Sequence, residues 1–539
     1  MTSAAVARPV VRRGSPTSAL TGTALLLRLA LRRDRLRLGI WVAVLTLLMA
    51  YAPAAMKLAY PEEAQRVTRV DLLKTPAGMM MGGPMFGRNE TDLGAMMANE
   101  LMLTLIVATS ILAILTVIRH TRAEEESGAA ELVLSSVVGR YARTAAALIL
   151  VGAVNAVLAV TMTLAMAAGG FGLLDTAAMC LGVIGVAMAF GAVAAVTAQL
   201  WRQARTATGA AMATLAVAAL VRGIGDVIDN SGSALSWLSP IAWAQQMRAF
   251  VDLRWWPFAL LVALIMGLTA LAAVFEGRRQ YDDGTLPSTG EHPDARPING
   301  VLGLHVTLQR GQTVGWTIGL FLGGLAFGSM TKSLLDAAES NEVIRRVIAQ
   351  HGTDSVYTTM TQFLAAAASA YVVGAVLRVY TDEERGLGEV VLAGSVSRWR
   401  WLSTAVGSAL LGSVVLMFFA GLGNGLGAGI AVGEPATVLR LTLAGLAFLP
   451  AMAVMAGVAA LAVAVRRPWL GWLAVAFVVA SLYLGALLRL PQWLIDLSPV
   501  SRTTAPSGYP VATLVVMVFV AAASTWLAGA LYRRRDALS

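Results

Sequence analysis

Arg122-Ala-Glu-Glu-Glu-Ser-Gly-Ala-Ala-Glu-Leu-Val-Leu-Ser-Ser-Val-Val-Gly-Arg140 makes the rest of the chain readable, because it occurs twice. Tyr380-Thr-Asp-Glu-Glu-Arg-Gly-Leu-Gly-Glu-Val-Val-Leu-Ala-Gly-Ser-Val-Ser-Arg398 aligns with it without gaps at an offset of 258 residues. Leu238-Ser239-Pro240 recurs as Leu497-Ser498-Pro499 at an offset of 259. Each copy ends in a basic cluster, Arg278-Arg279 or Arg533-Arg534-Arg535, and has a tryptophan, Trp41 or Trp316, at its start. One short match could be coincidence. Two matches at nearly the same offset, in the same order, mark an internal duplication.

Around these landmarks the chain is apolar. Of its 539 residues 57% are hydrophobic and 13% charged. Soluble domains carry about 25% charged residues, so a single soluble domain is excluded. Apolar stretches of about 17–25 residues are long enough to cross a bilayer. Twelve are found, near 39–58, 98–118, 144–168, 176–200, 207–224, 257–275, 312–330, 361–379, 403–423, 438–463, 469–488 and 511–531. The fold expected is an all-α integral membrane protein with twelve transmembrane helices arranged as two parallel six-helix repeats. Gly223, Gly225 and Asp226 cut the fifth stretch short, which points to a broken or re-entrant helix there. The expected division is a tail and amphipathic interfacial helix over 1–38, a first six-span repeat over 39–279, a linker over 280–311 and a second repeat over 312–539. Pro, Gly, Asp and Ser are frequent in Gln280–Asn299, as a linker requires. A parallel repeat suggests two half-transporters around a shared pathway.

Lysine is rare (Lys57, Lys74, Lys332) against 38 arginines, and Ala and Gly are abundant, the signature of a GC-rich coding sequence and hence of a bacterium. The formal net charge is +10. With the N-terminus placed inside, the segments facing the cytoplasm carry the whole positive excess, and the remainder balances. The positive-inside rule therefore puts both termini in the cytoplasm of a multi-pass protein of the cytoplasmic membrane, and explains the charge without nucleic acid. Residues 1–18 hold arginines and no apolar core, unlike a cleavable signal. Leucines and arginines then alternate at helical spacing from Leu25 to Leu38, which suits a helix lying along the membrane surface in contact with lipid.

The repeated segment follows the second span of each half. Acidic residues in a first turn face the positive end of a helix dipole. Gly128 and Gly386 permit a sharp bend, and Leu132-Val-Leu134 and Val390-Val-Leu392 supply an apolar patch. A short helix of that kind can dock into a partner's groove; a solvated loop between two spans is the other reading.

Glu125-Glu-Ser-Gly-Ala-Ala-Glu-Leu-Val-Leu134 and Glu383-Glu-Arg-Gly-Leu-Gly-Glu-Val-Val-Leu392 look like the EE-x-G-x-x-E-hydrophobic signature of ABC type-2 exporter permeases. The amphipathic start and the outer Leu-Ser-Pro segment before the sixth span also resemble that family. Two fused six-span units are similar to exporter permeases of the tetronasin-resistance type, which move antibiotics and other drugs. The resemblance implies that Glu124, Glu125, Glu126, Gly128 and Glu131, with Glu383, Glu384, Gly386 and Glu389, form the elements that couple the chain to an ATPase. It implies a separate ATPase chain, in two copies per permease, that binds ATP and Mg, and a hydrophobic or lipid-like cargo moved outward.

The absences agree. No G-x-x-x-x-G-K-[ST] phosphate loop exists; Gly328-Ser-Met-Thr-Lys332-Ser333 lacks the second glycine. The chain is expected to be no enzyme and to hold no cofactor. The middles of the spans contain no Asp or Glu, whereas ion-driven carriers use an intramembrane carboxylate. The four histidines are scattered, and Asp282-Asp283 is a lone acidic pair, so neither a metal site nor a Mg-diphosphate site is expected. Cys180 is the single cysteine, so no internal disulfide forms. Met80 and Met85 in the methionine-rich first outer loop, with Asn155 and Asn424 in spans, are the candidates for the cargo pathway. Loop packing for the methionines and interhelical hydrogen bonding for the asparagines stay open as readings. The rival functions are a secondary carrier or channel working without an ATPase, and a membrane-embedded enzyme.

Overall fold

Inside a bilayer every backbone N–H and C=O must be satisfied within the protein, and helices do this segment by segment. The computed structural model describes residues 18–74, 76–84, 86, 91–128, 138–229, 231–279, 284–285, 300–332, 354–384, 386–483, 491–503 and 510–534, and among these there is no strand. The chain divides into two units, Met1–Pro293 and Asp294–Ser539, the division falling inside the expected linker.

The first unit contains α1 (Thr23–Ala59), α2 (Glu63–Leu73), α3 (Pro76–Gly82), α4 (Leu93–His120), α5 (Arg122–Glu126), α6 (Ala142–Ala168), α7 (Leu173–Leu200), α8 (Ala204–Ile228), α9 (Pro240–Gln245) and α10 (Trp256–Arg278). The second contains α11 (Gly300–Ser329), α12 (Asp354–Glu384), α13 (Leu387–Leu392), α14 (Arg398–Val432), α15 (Ala436–Leu446), α16 (Leu449–Ala464), α17 (Trp469–Tyr483), α18 (Gln492–Ile495), α19 (Pro499–Arg502) and α20 (Val511–Arg533).

Among the described residues ten helices are long and apolar enough to cross a membrane: Thr23–Ala59, Leu93–Glu126, Ala142–Ala168, Leu173–Leu200, Ala204–Ile228, Trp256–Arg278, Thr359–Glu384, Arg398–Val432, Ala436–Ala464 and Val511–Arg533. The two expected spans outside this set are α11 and α17. The first is long, at 30 residues, but glycines and Gln312 dilute its apolar character. The second is 15 residues long, and 484–490, its expected continuation, lie outside the described residues.

Two expectations about helix ends change. Leu25–Leu38 is not a separate element: it is the first part of the unbroken 37-residue α1, one face of which buries Ala30, Asp34, Leu38, Leu45, Met49 and Ala52. The fifth span is not broken at Gly223–Asp226 either, since α8 runs on to Ile228. Arg222, one turn before Asp226, neutralises it at 3.2 Å with both side chains buried.

The units pack their first and third long helices differently. In the second unit α11 and α14 meet backbone to backbone. A Cβ on Gly324 would stand 2.4 Å from the Ala420 carbonyl oxygen, and one on Gly328 2.1 Å from that of Asn424. Reciprocally, Gly423 faces the carbonyl of Phe321 and Gly427 that of Leu325. Small residues let apolar helices gain contact where no hydrophobic force acts between them. In the first unit α1 and α6 are joined instead by the hydroxyls of Thr46 and Thr161, 2.8 Å apart.

Candidate coupling site

Three consecutive carboxylates on α5 bond to α1, α4, α6, α8 and the end of α10, five of the six long helices of the first unit; the sixth, α7, joins through Arg279, whose Nε donates to Gln199. Thr121, with φ −119° and ψ −86°, ends α4 and starts the five-residue α5. Glu124 accepts from Arg33 of α1 at 3.1 Å and lies 3.3 Å from His120 Nδ1 at the end of α4. His120 Nε2 reaches Asp34 of α1 at 2.9 Å, and Arg119 reaches the same carboxylate at 3.1 Å. Glu125 has a side chain 1% exposed and sits among three guanidiniums. Arg122 of its own helix and Arg143 of α6 bond to it. Arg279, next after α10, contributes Nη2 at 2.6 Å and Nη1 at 3.0 Å. The Arg122 Nε donates to the Arg202 carbonyl at 2.6 Å, between α7 and α8. Exposed Glu126 accepts the Ala204 N–H at 2.9 Å, satisfying a donor at the start of α8 that no residue of that helix can take. Arg140 Nη2 closes the ring onto the Glu276 carbonyl of α10 at 2.8 Å.

The second copy has the same outline in other residues. Here α12 runs without a break through Asp382, Glu383 and Glu384. Arg378 pairs with Asp382 at 3.5 Å, the i,i+4 geometry of His120 and Glu124. Arg378 also donates to the Leu308 carbonyl of α11 at 2.9 Å. Glu383 accepts from the Tyr532 hydroxyl of α20. Gly128 and Gly386 both adopt left-handed backbone, φ +73° and +72°, so each segment turns sharply at its repeated glycine. Beyond Gly386, α13 shows Leu387 (55% exposed), Val390 (77%) and Glu389 at its surface, and Glu384 is exposed as well. Glu131 lies outside the described residues, as does Met85.

The pathway candidates do not converge. Asn424 is buried in the glycine seam and donates to Thr361 at 3.2 Å, an interhelical bond. Asn155 is 2% exposed and lines a narrow crevice with Leu38, Leu112, Ala113 and Thr116; neither of its amide atoms has a hydrogen-bond partner. Met80 belongs to the short helix α3, whose last carbonyls, with that of Gly83 beyond it, are captured one after another. Arg222 takes those of Met79 and Met80 at 3.3 and 2.6 Å, Gln245 takes Gly82 at 3.0 Å, and Asn99 takes Gly83 at 2.9 Å. Trp237 and Trp256 stack at 5.1 Å, as an interfacial aromatic cluster would. Among the described residues no group of three His, Cys, Asp or Glu is placed to hold a metal.

A family profile described as "Multidrug efflux system permease Rv1217c, C-terminal domain" matches residues 298–533. Over 545 aligned residues, 96% of each chain, this sequence is 35% identical to the multidrug efflux system permease protein Rv1217c of Mycobacterium tuberculosis (strain ATCC 25618 / H37Rv). The chain belongs to this family of multidrug efflux permeases. The match bears out the resemblance to exporter permeases read from the two acidic segments, and makes this permease a transport subunit.

Sequence reasoning missed Asp34, His120, Arg122, Arg143, Arg222 and Arg279 in this permease. A signal was present for some. Asp34 is the one acid within an arginine-rich stretch, and both His120–Glu124 and Arg222–Asp226 stand at i,i+4.

Proposed function

We propose that the permease is the membrane subunit of an ATP-driven exporter, expelling hydrophobic drugs or lipid-like compounds from a bacterial cell. It stands in the cytoplasmic membrane with both termini inside, its twelve spans forming two parallel six-helix repeats with α11 and α17 as the seventh and eleventh. A separate ATPase, in two copies, binds ATP and Mg and docks on the segments around Glu124–Gly128 and Glu383–Glu389.

The observation that carries this reading is the joining of α1, α4, α6, α8 and the end of α10 by Glu124, Glu125 and Glu126. A force applied to that short helix reaches these five directly, and α7 through Arg279. Glu125 is buried, so it positions the segment, while exposed groups such as Leu387, Val390, Glu384 and Glu389 meet the partner. Exposed charges contribute little to folding, about 0–1 kcal/mol per pair. Replacing Leu387 and Val390 by Arg is therefore expected to leave the amount of permease in the membrane unchanged and to abolish both ATPase co-purification and drug efflux. Normal co-purification with this double variant would remove α13 from the docking surface. Efflux driven by a proton gradient, in vesicles containing the permease and no ATPase, would overturn the ATP-driven reading.

A further inference from the structure

The fifth long helix of the first unit, α8, is held at both ends by polar contacts and packs between them on a face made mostly of alanines. Its 25 residues span about 37 Å. At one end Glu126 takes the N–H of Ala204, and Arg122 takes the carbonyl of Arg202 just ahead of the helix. At the other end Arg222 grips the carbonyls of Met79 and Met80, and Asp226 accepts the Ser236 hydroxyl at 2.6 Å. Gly225 lies so close to that turn that a Cβ would meet the Ser236 nitrogen at 2.4 Å, and Gly223 lies against Met80.

Between the ends the buried positions are Ala207, Ala211 and Leu215, with Met212, Ala218 and Ala219 half-buried against the core, while Val217 is exposed. Helices interlock through the ridges that their side chains raise. Methyl-sized ridges resist small axial displacement least, and packed helices move past one another by such small slides. A buried Arg–Asp pair is no efficient way to end a helix, because desolvation offsets much of its attraction. Here it fixes a direction: Asp226 holds the guanidinium whose nitrogens capture the last carbonyls of α3.

We propose that α8 is a push rod, transmitting displacement of the acidic segment at Glu126 to the end of the methionine-bearing helix α3 through Arg222, with Glu126 and Arg222 as its positioning residues. The inference deepens the coupling role assigned above and rests on it for its meaning. The test omits the ATPase, so failure of ATPase docking and failure of the rod remain distinguishable.

The measurement is hydrogen exchange by mass spectrometry on the purified full-length permease, followed in the peptide covering residues 76–84. Glu126→Ala is expected to raise exchange in that peptide about fivefold, the factor for one lost helix cap, although the mutation lies at the opposite end of α8. Arg222→Lys keeps the charge opposite Asp226 and loses the two-carbonyl grip; it is expected to raise exchange in the same residues by a larger factor. Glu126→Gln, whose amide oxygen still accepts, is expected to restore wild-type exchange. Glu124→Ala releases α1 and α4 rather than α8 and is expected to leave the peptide unchanged. Wild-type exchange in Glu126→Ala would overturn the proposal. An increase in Glu124→Ala equal to that in Glu126→Ala would also overturn it, since it would show general loosening and not transmission along one helix.

Discussion

The two copies of the acidic segment share an outline and differ in chemistry. In the first unit Glu125 is closed in by Arg122, Arg143 and Arg279. In the second, the positions equivalent to Arg122 and Arg143 are Tyr380 and Trp401, and Glu383 takes the hydroxyl of Tyr532. The repeated glycines keep the same left-handed turn, and the i,i+4 pair one residue earlier is kept with its basic member changed from His120 to Arg378. Geometry has thus survived duplication while the groups around the central carboxylate have changed, three guanidiniums closing on Glu125 and a tyrosine hydroxyl donating to Glu383. A buried ion cluster fails abruptly when one charge is removed, because the remaining charges stay uncompensated. A hydroxyl–carboxylate contact fails gently.

The sharpest way to break this contrast is to remove the two carboxylates in turn. Glu125→Ala is expected to cost about 3–5 kcal/mol, and Glu383→Ala about 1.5–3 kcal/mol, read as thermal unfolding of the detergent-solubilised chain. Equal losses would mean that the surrounding chemistry does not matter.

Acid should also strike the units unequally. His305 lies in the polar first turns of α11, ahead of the apolar run 312–330, with its ring 4.3 Å from that of Trp401. Burial pushes its imidazole down from 6.5 to about 4. Between those values the unfolded chain binds the proton and the folded chain does not, so stability is complete above pH 6.5 and falls as pH drops toward 4. The loss at pH 4 is roughly 2–4 kcal/mol. His305→Gln should flatten the stability curve across that window, so that the difference between variant and wild type changes with pH there; a difference that stays constant with pH would show that this histidine does not carry the acid sensitivity.

The seams between first and third helices sharpen the comparison further. Gly328→Ala forces a methyl onto the Asn424 carbonyl and is expected to cost about 1–3 kcal/mol. Replacing both Thr46 and Thr161 by Val removes both hydrogen-bonding partners at once and should be nearly neutral. A Gly328→Ala chain as stable as wild type would show that α11 and α14 can separate without loss. Smallest of all is Arg33→Ala. Its half-exposed pair with Glu124 is worth about 0–1 kcal/mol and should vanish in high salt; a larger, salt-independent loss would make that pair part of the buried hub.

Local signals carried much of this into the sequence. The recurring Leu-Ser-Pro marks the same device in both units: Ser239 and Ser498 cap a short helix whose first turn holds Pro240 or Pro499. Gly128 and Gly386 could be read as bends because few other residues adopt that backbone. The partners of Glu125 could not be read, since Arg279 stands 154 residues away and nothing local distinguishes it from Arg278. Asp226 misled in the opposite direction. An acid beside two glycines reads as the end of a span, and only the placement of Arg222 and Ser236 around it shows why the helix continues. Asp34 was hidden among arginines that suggested a surface helix, although it faces inward.

The position of Arg279 bears on how the protein is made. A chain emerges from the ribosome N-terminus first, and its domains fold as they become complete. Glu125 and Arg143 appear early, whereas Arg279 appears only after the sixth long helix of its unit has been synthesised. The loop that its bond to Glu125 closes therefore contains every remaining helix of the unit. The first unit can lock its helices together only after its last helix has been made, and a chain interrupted short of Arg279 is left with a carboxylate still short of one of its three guanidiniums.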